Sequence, residues 1–240
     1  MDTLLIVTGG SAGFGRAVLA GAPTGTRGVD ISRSGGSPAE VHVPADLADP
    51  ASWPQVGEAM VRLVADADHD RITFVHSAGT LDPIGFAGEV DTDAMTRNVL
   101  LNSAAAQVLG HRFLEVVATS RARRELVLVS SGAARPAYPG WSTYGAGKAA
   151  IDQWVRTVGL EQQDRGGVKV LAVAPGVLAT RLQTMIRASD ARDFPRVERF
   201  RDLHASGRLV DPADAAERLW QLLDDDTVLT GSVVDLRGSP

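Results

Sequence analysis

Short runs of apolar, β-favouring residues recur along this chain between longer stretches of helical character. TLLIVT (3–8), GVDI (28–31), VHV (41–43), RITFVH (71–76), ELVLVS (125–130), VKVLAVA (168–174) and SVVDL (232–236) read as strands. The most apolar of them lack the in–out alternation of a half-exposed sheet, as expected for parallel strands covered on both faces. Helices are predicted over 13–21, 51–66, 91–118, 142–165 and 211–224. Two open on an N-capping residue, Ser142 and Asp211, the latter followed by Pro212 at the first helical position. Strand–helix alternation with short connections predicts an α/β fold, a doubly wound parallel sheet with helices on both faces. Residues 177–208 break the alternation after the sixth strand. Ligands bind beyond the carboxyl ends of strands in open α/β sheets, so this excursion is expected to cover the site as a lid.

Composition narrows the picture. At 240 residues the chain suits one large α/β domain, 1–240, without linker or internal repeat. A net charge of -5 argues against a nucleic-acid partner. Cysteine is absent, which removes disulfides, thiol nucleophiles and thiolate metal sites. His42, His69, His111 and His204 show no metal-ligand spacing, and no metal is expected. The acidic 224–226 and basic 121–124 runs read as solvated surface at helix ends. The first apolar run begins at Leu4 and leads straight into glycines, leaving no room for a signal peptide. No apolar stretch approaches the roughly 18 residues of a membrane span. A soluble, cytoplasmic protein is expected.

The first strand runs into TGGSAGFG, Thr8 to Gly15, ahead of a helix. Gly9, Gly13 and Gly15 permit a tight turn and close backbone approach to a pyrophosphate at the helix N-terminus, although their spacing departs from G-x-G-x-x-G. At the end of strand two, Asp30 would favour NAD(H), while Ser32 and Arg33 would favour NADP(H). The last residues of the strand should lie nearest the ribose, so the sequence favours NADP(H).

Ser131 ends a buried strand, and Tyr144 and Lys148 follow on the next helix, one turn apart. A free phenol has a pKa of about 10. A nearby ammonium would lower it toward the working pH, while Ser131 held a substrate oxygen. That set suits carbonyl reduction or its reverse. The same spacing also suits a plain amphipathic helix with a buried tyrosine and a snorkelling lysine. Two glycines, Gly145 and Gly147, lie between them at the start of a helix, where glycine is unfavourable.

Together the glycine turn, Ser131 and Tyr144-x-x-x-Lys148 resemble the short-chain dehydrogenase/reductase family over essentially the whole chain. The resemblance implies a Rossmann-like sheet of about seven strands and hydride transfer between NAD(P) and a carbonyl or alcohol. It assigns Asn102 to a water-linked proton relay, Ser131 to the substrate oxygen, Tyr144 to acid–base work and Lys148 to the nicotinamide ribose. It places the cofactor along Gly9, Ser11, Gly13, Phe14, Gly15, Ser32, Arg33, Asp46, Leu47, Ser77, Ala78, Gly79, Pro175, Gly176, Val177 and Thr180. The stretches 130–154, 174–189 and 190–216 look like the sepiapterin-reductase-like branch, and within it like bacterial benzil reductases. These reduce one carbonyl of an aromatic 1,2-diketone with NADPH to an (S)-hydroxy ketone. Tyr138 and Trp141 are candidates for an aromatic substrate wall with Ser131 and Tyr144; Phe86, Met185 and Phe194 are weaker ones. Two departures stand out: His76–Ser77 replaces the usual Asn–Asn, with His76 read as structural, and Ala12 stands where NADP-preferring relatives often carry a basic residue. The resemblance also implies a homodimer or homotetramer built through helices 91–118 and 142–165. Three functions follow: a diketone-type carbonyl reductase, an oxidoreductase on a pteridine, sugar or acyl-thioester, and a cofactor-binding regulator without turnover.

Overall fold

A computed structural model describes residues 2–238. Seven parallel strands form one sheet in the order β3-β2-β1-β4-β5-β6-β7. They are β1 (Thr3–Thr8), β2 (Thr26–Ser32), β3 (Val41–Pro44), β4 (Arg71–His76), β5 (Arg123–Val129), β6 (Lys169–Ala174) and β7 (Val233–Asp235). The helices are α1 (Gly13–Ala20), α2 (Trp53–Ala65), α3 (Thr92–Val99), α4 (Ala105–Val116), α5 (Ser142–Asp164), α6 (Arg181–Ala188), α7 (Val197–Ala205) and α8 (Pro212–Asp224). This is the Rossmann-like, doubly wound arrangement that the strand–helix alternation predicts.

Both faces of the sheet are covered, which explains why the strands do not alternate in polarity. Leu4 and Ile6 of β1 pack with α2, α4 and α5, whereas Leu5 and Val7 pack with α1 and α8. Leu126 and Leu128 of β5 divide from Val127 and Val129 in the same way. A third apolar cluster, around Leu81, Trp141, Ile186, Phe194 and Phe200, seats α6 and α7 over the carboxyl edge. Strand order reverses between β1 and β4, and the crevice for a ligand opens at such a switch point.

Three local expectations are corrected. The helix expected over 91–118 is broken by a π turn, Leu100–Ala104, between α3 and α4. Ser142 is already inside α5, behind Trp141, and no side chain caps that helix, whereas Asp211 does cap α8 by accepting from the Ala213 N–H at 2.7 Å. The charged runs are not merely solvated. Arg123 pairs with Asp226 at 3.1 Å and with the fully buried Glu125, which also receives two hydrogen bonds from Arg71 at 2.9 and 3.0 Å. Asp224 completes the network on Arg71 at 2.7 Å. These groups tie β4, β5 and α8 at the amino edge of the sheet, far from the crevice.

Candidate active site

A cavity of about 870 Å³ runs along the carboxyl edge of the sheet from the end of β2 to the α6–α7 excursion. Its size is within the range of organic-cofactor and small-molecule sites. At its centre is the turn after β1. Gly9 and Gly13 adopt positive φ angles of 69° and 54°, a region that side chains with a Cβ rarely enter. A Cβ on Gly9 would meet the Ala78 backbone at 3.0 Å, so β1 and β4 can approach only without it. The N-terminus of α1 has no side-chain cap and no acidic residue in its first turn, which leaves its N–H groups and dipole for an anion. A nicotinamide dinucleotide pyrophosphate fits that donor set.

Among the expected cofactor positions, Gly9, Ser11, Gly13, Phe14, Ser32, Arg33, Asp46, Leu47, Ser77, Ala78, Gly79, Pro175, Gly176, Val177 and Thr180 border the cavity. Gly15 does not. It packs beneath the turn, where a Cβ would strike the Gly9 carbonyl oxygen at 2.5 Å. Asp30 is fully buried and its carboxylate is engaged, accepting from the Gly10 N–H and the Ser32 hydroxyl at 2.9 Å each. It stiffens the glycine turn and is not free to hold a ribose hydroxyl. Arg33 is exposed on the cavity wall. Arg97 of α3, which carries no motif in the sequence, reaches over to Asp46 at 2.7 Å.

The chemical end gathers Ser131, Tyr144 and Lys148. Lys148 is 4% exposed and donates to the Val129 carbonyl at 2.8 Å. Burial lowers its pKa to about 8, with Asp152 opposing that shift. The Tyr144 ring opens partly on the cavity, yet desolvation of its hydroxyl raises its pKa, and a hydrogen bond with Ser131 works the other way. The expected lowering by Lys148 is not what the geometry gives: its ammonium sits 5.8 Å from the Tyr144 ring centroid and is directed at Val129. A phenol that keeps its proton at neutral pH is suited to donate one.

The two glycines between Tyr144 and Lys148 have a packing cause. A Cβ on Gly145 would lie 3.3 Å from the Ala133 carbonyl oxygen, and one on Gly147 would lie 3.2 Å from Asn102 Cβ. They bring α5 hard against the loop after β5 and against the π turn. Asn102 itself is fully buried and lies behind the cavity wall. Its amide is committed, accepting from the Thr80 N–H at 3.0 Å and donating to the Thr80 carbonyl and Asn98 Oδ1 at 2.7 and 2.8 Å. Asn98, overlooked in the sequence, stands one turn earlier and donates to the Asp82 carbonyl at 2.6 Å. Its i,i+4 spacing from Asn102 was the available signal.

His76 is a structural member of this frame. Thr8 Oγ1 accepts from the Ser77 and Ala78 N–H groups at 3.1 Å each, so its own proton goes to His76 Nδ1 at 3.2 Å. The ring proton is then on Nε2, which faces the Leu101 carbonyl of the π turn without reaching full hydrogen-bond geometry. Burial, and then the charge on Lys148, pull the His76 pKa down to about 3.

Beside Tyr144 the wall is aromatic. Trp141 meets Tyr144 edge-on at 5.6 Å and stacks on Phe194 at 4.4 Å, while Tyr138 lies 5.3 Å from Trp141. Tyr138, Trp141 and Met185 border the cavity, as does Phe200 of α7. Phe194 backs Trp141 and is fully buried, and Phe86 lies outside the wall on the surface. Arg199 caps Tyr138, donating to its hydroxyl at 2.8 Å. The excursion is pinned at its base, where Leu178 bridges Val210.

Comparison with known proteins places this geometry. A family profile described as enoyl-(acyl carrier protein) reductase matches residues 21–238. Benzil reductase ((S)-benzoin forming) of Bacillus subtilis is 33% identical over 98% of this chain and 98% of its own. Sepiapterin reductase of Rattus norvegicus is 30% identical over 80% of this chain and 72% of its own. The structure of the angucycline C-6 ketoreductase LanV with bound NADP superposes with a TM-score of 0.77 at 25% identity, covering 98% of this chain and 93% of that one. With a glycine turn at an uncapped helix N-terminus, a Ser–Tyr–Lys set at the switch-point crevice and these relatives, the chain belongs to the short-chain dehydrogenase/reductase family and is an oxidoreductase.

Proposed function

We propose that the protein is an NADPH-dependent carbonyl reductase that transfers a hydride to one carbonyl of a small aromatic or vicinal diketone, in the manner of benzil to (S)-benzoin. The observation that carries the reading is the placement of Ser131, Tyr144 and Lys148 beside a wall of Tyr138, Trp141 and Phe200 in one cavity. When bound, the reduced nicotinamide supplies the hydride. The chain supplies the rest. Ser131 and Tyr144 converge on one point, where both hydroxyls can hold the substrate oxygen. Tyr144 then gives its proton to that oxygen as charge develops on it. Lys148, which spends one proton on the Val129 carbonyl, would give its remaining donors to the ribose. Asn102, with its amide spent on Thr80 and Asn98, serves by holding the π turn and the 79–82 loop in place. The 177–208 lid closes the aromatic end against water, and a cytoplasmic setting would supply the NADPH. The test is loss of reduced-nicotinamide absorbance on adding benzil to protein and NADPH, with sepiapterin as the competing substrate. Turnover of sepiapterin alone would transfer the assignment to a pteridine.

Arg33 is the residue assigned to the 2′-phosphate, because Asp30 is engaged elsewhere. Arg33→Ala is expected to raise KM for NADPH by roughly 10–100-fold, the worth of one charged hydrogen bond. KM for NADH should change little. Equal effects on both cofactors would remove this assignment.

We place the contact of a homodimer or homotetramer on α3–α4 and α5. Met95, Val99, Val108 and Leu160 are exposed there at 39–65%. Light scattering that returns a monomer mass at micromolar concentration would refute it.

A further inference from the structure

Lys148 and Asp152 are each 4% exposed and stand one turn apart on α5, in line with Tyr144. The ammonium has one protein acceptor among the described residues, the Val129 carbonyl at 2.8 Å. A buried charge so thinly solvated needs a counter-charge. Asp152 makes no ion pair with a lysine or arginine among the described residues, and its Oδ1 accepts from the Ser130 hydroxyl at 2.5 Å. Behind it lies a second cavity of about 160 Å³, bordered by Ser130, Ser131, Asp235 and Arg237. That volume and polarity allow water to reach the carboxylate. The Arg237 guanidinium in that cavity is taken by Asp235, at 2.5 and 2.9 Å, and does not neutralise Asp152.

We propose that Asp152, anchored by Ser130, is a positioning residue whose negative charge keeps Lys148 an ammonium at the working pH. The proposal rests on the carbonyl-reductase reading above for its consequence in turnover, though not for its test by binding. The titratable groups facing Lys148 are Tyr144 on its own helix, His76 from β4 and Asp152. His76 is neutral and Tyr144 holds its proton near neutrality, which leaves the Asp152 carboxylate as the acidic group facing Lys148 along the helix. Asp152 in turn faces Lys148 along the helix and Arg135, Asp235 and Arg237 across the small cavity. Burial pulls Lys148 down to about 8, and Asp152 is what opposes the fall.

The experiment is fluorescence titration of NADPH binding against pH, with kcat/KM for benzil alongside, for the unaltered protein, Asp152→Asn and Asp152→Glu. Binding should weaken along an alkaline limb as Lys148 loses its proton. In Asp152→Asn that limb should move down by about one pH unit, and Asp152→Glu should restore it. A limb that stays in place in Asp152→Asn, or an unaltered protein without one, overturns the proposal. If Asp152→Asn does not fold, Ser130→Ala should move the limb in the same direction by a smaller amount, and an unmoved limb there overturns it equally. A purely structural role would lower stability and kcat without moving the limb. If the protein binds NADPH but reduces no diketone, the substrate reading fails while the binding limb still decides the role of Asp152.

Discussion

Replacing Tyr144 by phenylalanine is expected to lower kcat for carbonyl reduction by about 10³-fold, the middle of the range for general acid catalysis. NADPH affinity should stay within a few-fold. The substitution removes one hydroxyl and leaves the ring, so the edge-on contact with Trp141 at 5.6 Å and the Lys148 ammonium above the ring both persist. What disappears is the proton donor and one of the two hydroxyls at the substrate oxygen. Burial holds the Tyr144 proton more tightly than in a free phenol, while Ser131 eases it, so the acid is present in its protonated form at neutral pH. Steady-state kinetics with NADPH and benzil, with binding measured separately, checks this. A variant that keeps a tenth or more of the original kcat would show that Tyr144 is not the acid.

Acidification should destabilise the protein well above the carboxylate range. His76 has its pKa lowered from 6.5 to about 3 by burial and by Lys148. A group depressed in the folded state contributes stability that is whole above its unfolded pKa and is lost as pH falls toward its folded one. The loss therefore runs from about pH 6.5 down toward 3. The full shift corresponds to on the order of 5 kcal/mol, an upper figure because partial opening lets water reach the ring. The shifted carboxylates Asp46, Asp190, Asp225 and Asp235 act below their ordinary value of 3.8 and Glu115 below 4.5, so the window between about 6.5 and 4.5 belongs to His76. Thermal denaturation should show Tm at pH 4.5 lower than at pH 7 by on the order of 10 °C. His76→Asn should remove most of that difference, since asparagine takes up no proton there. An equal drop in His76→Asn would place the acid sensitivity elsewhere.

His76 also shows how chemistry and neighbourhood divide between sequence and structure. A histidine at the end of a buried strand could be read as structural, but its tautomer follows only from Thr8 on β1, whose hydroxyl is filled by the N–H groups of Ser77 and Ala78, the two residues after His76. Asp30 is the opposite case. Its position at the end of β2 admits a ribose contact, and only the fold turns it inward onto Gly10. Phe86 and Phe194 looked alike as wall candidates, yet one lies on the surface and the other behind Trp141. The π turn was not read from the sequence, and in the structure α5 packs closely on it at Gly147, where a Cβ would lie 3.2 Å from Asn102 Cβ.

By itself the sequence determined the seven strands, the parallel sheet and the Ser131–Tyr144–Lys148 set, because strand composition, helical spacing and glycine turns are local properties. The family followed from those local motifs taken together. Which groups are spent and which remain free was decided by the tertiary structure alone. Asp30, Asn102 and Lys148 owe their partners, and Asp152 its burial, to contacts between segments far apart in the chain. Burial and charge separation set proton affinity, and both depend on how the segments pack rather than on their order.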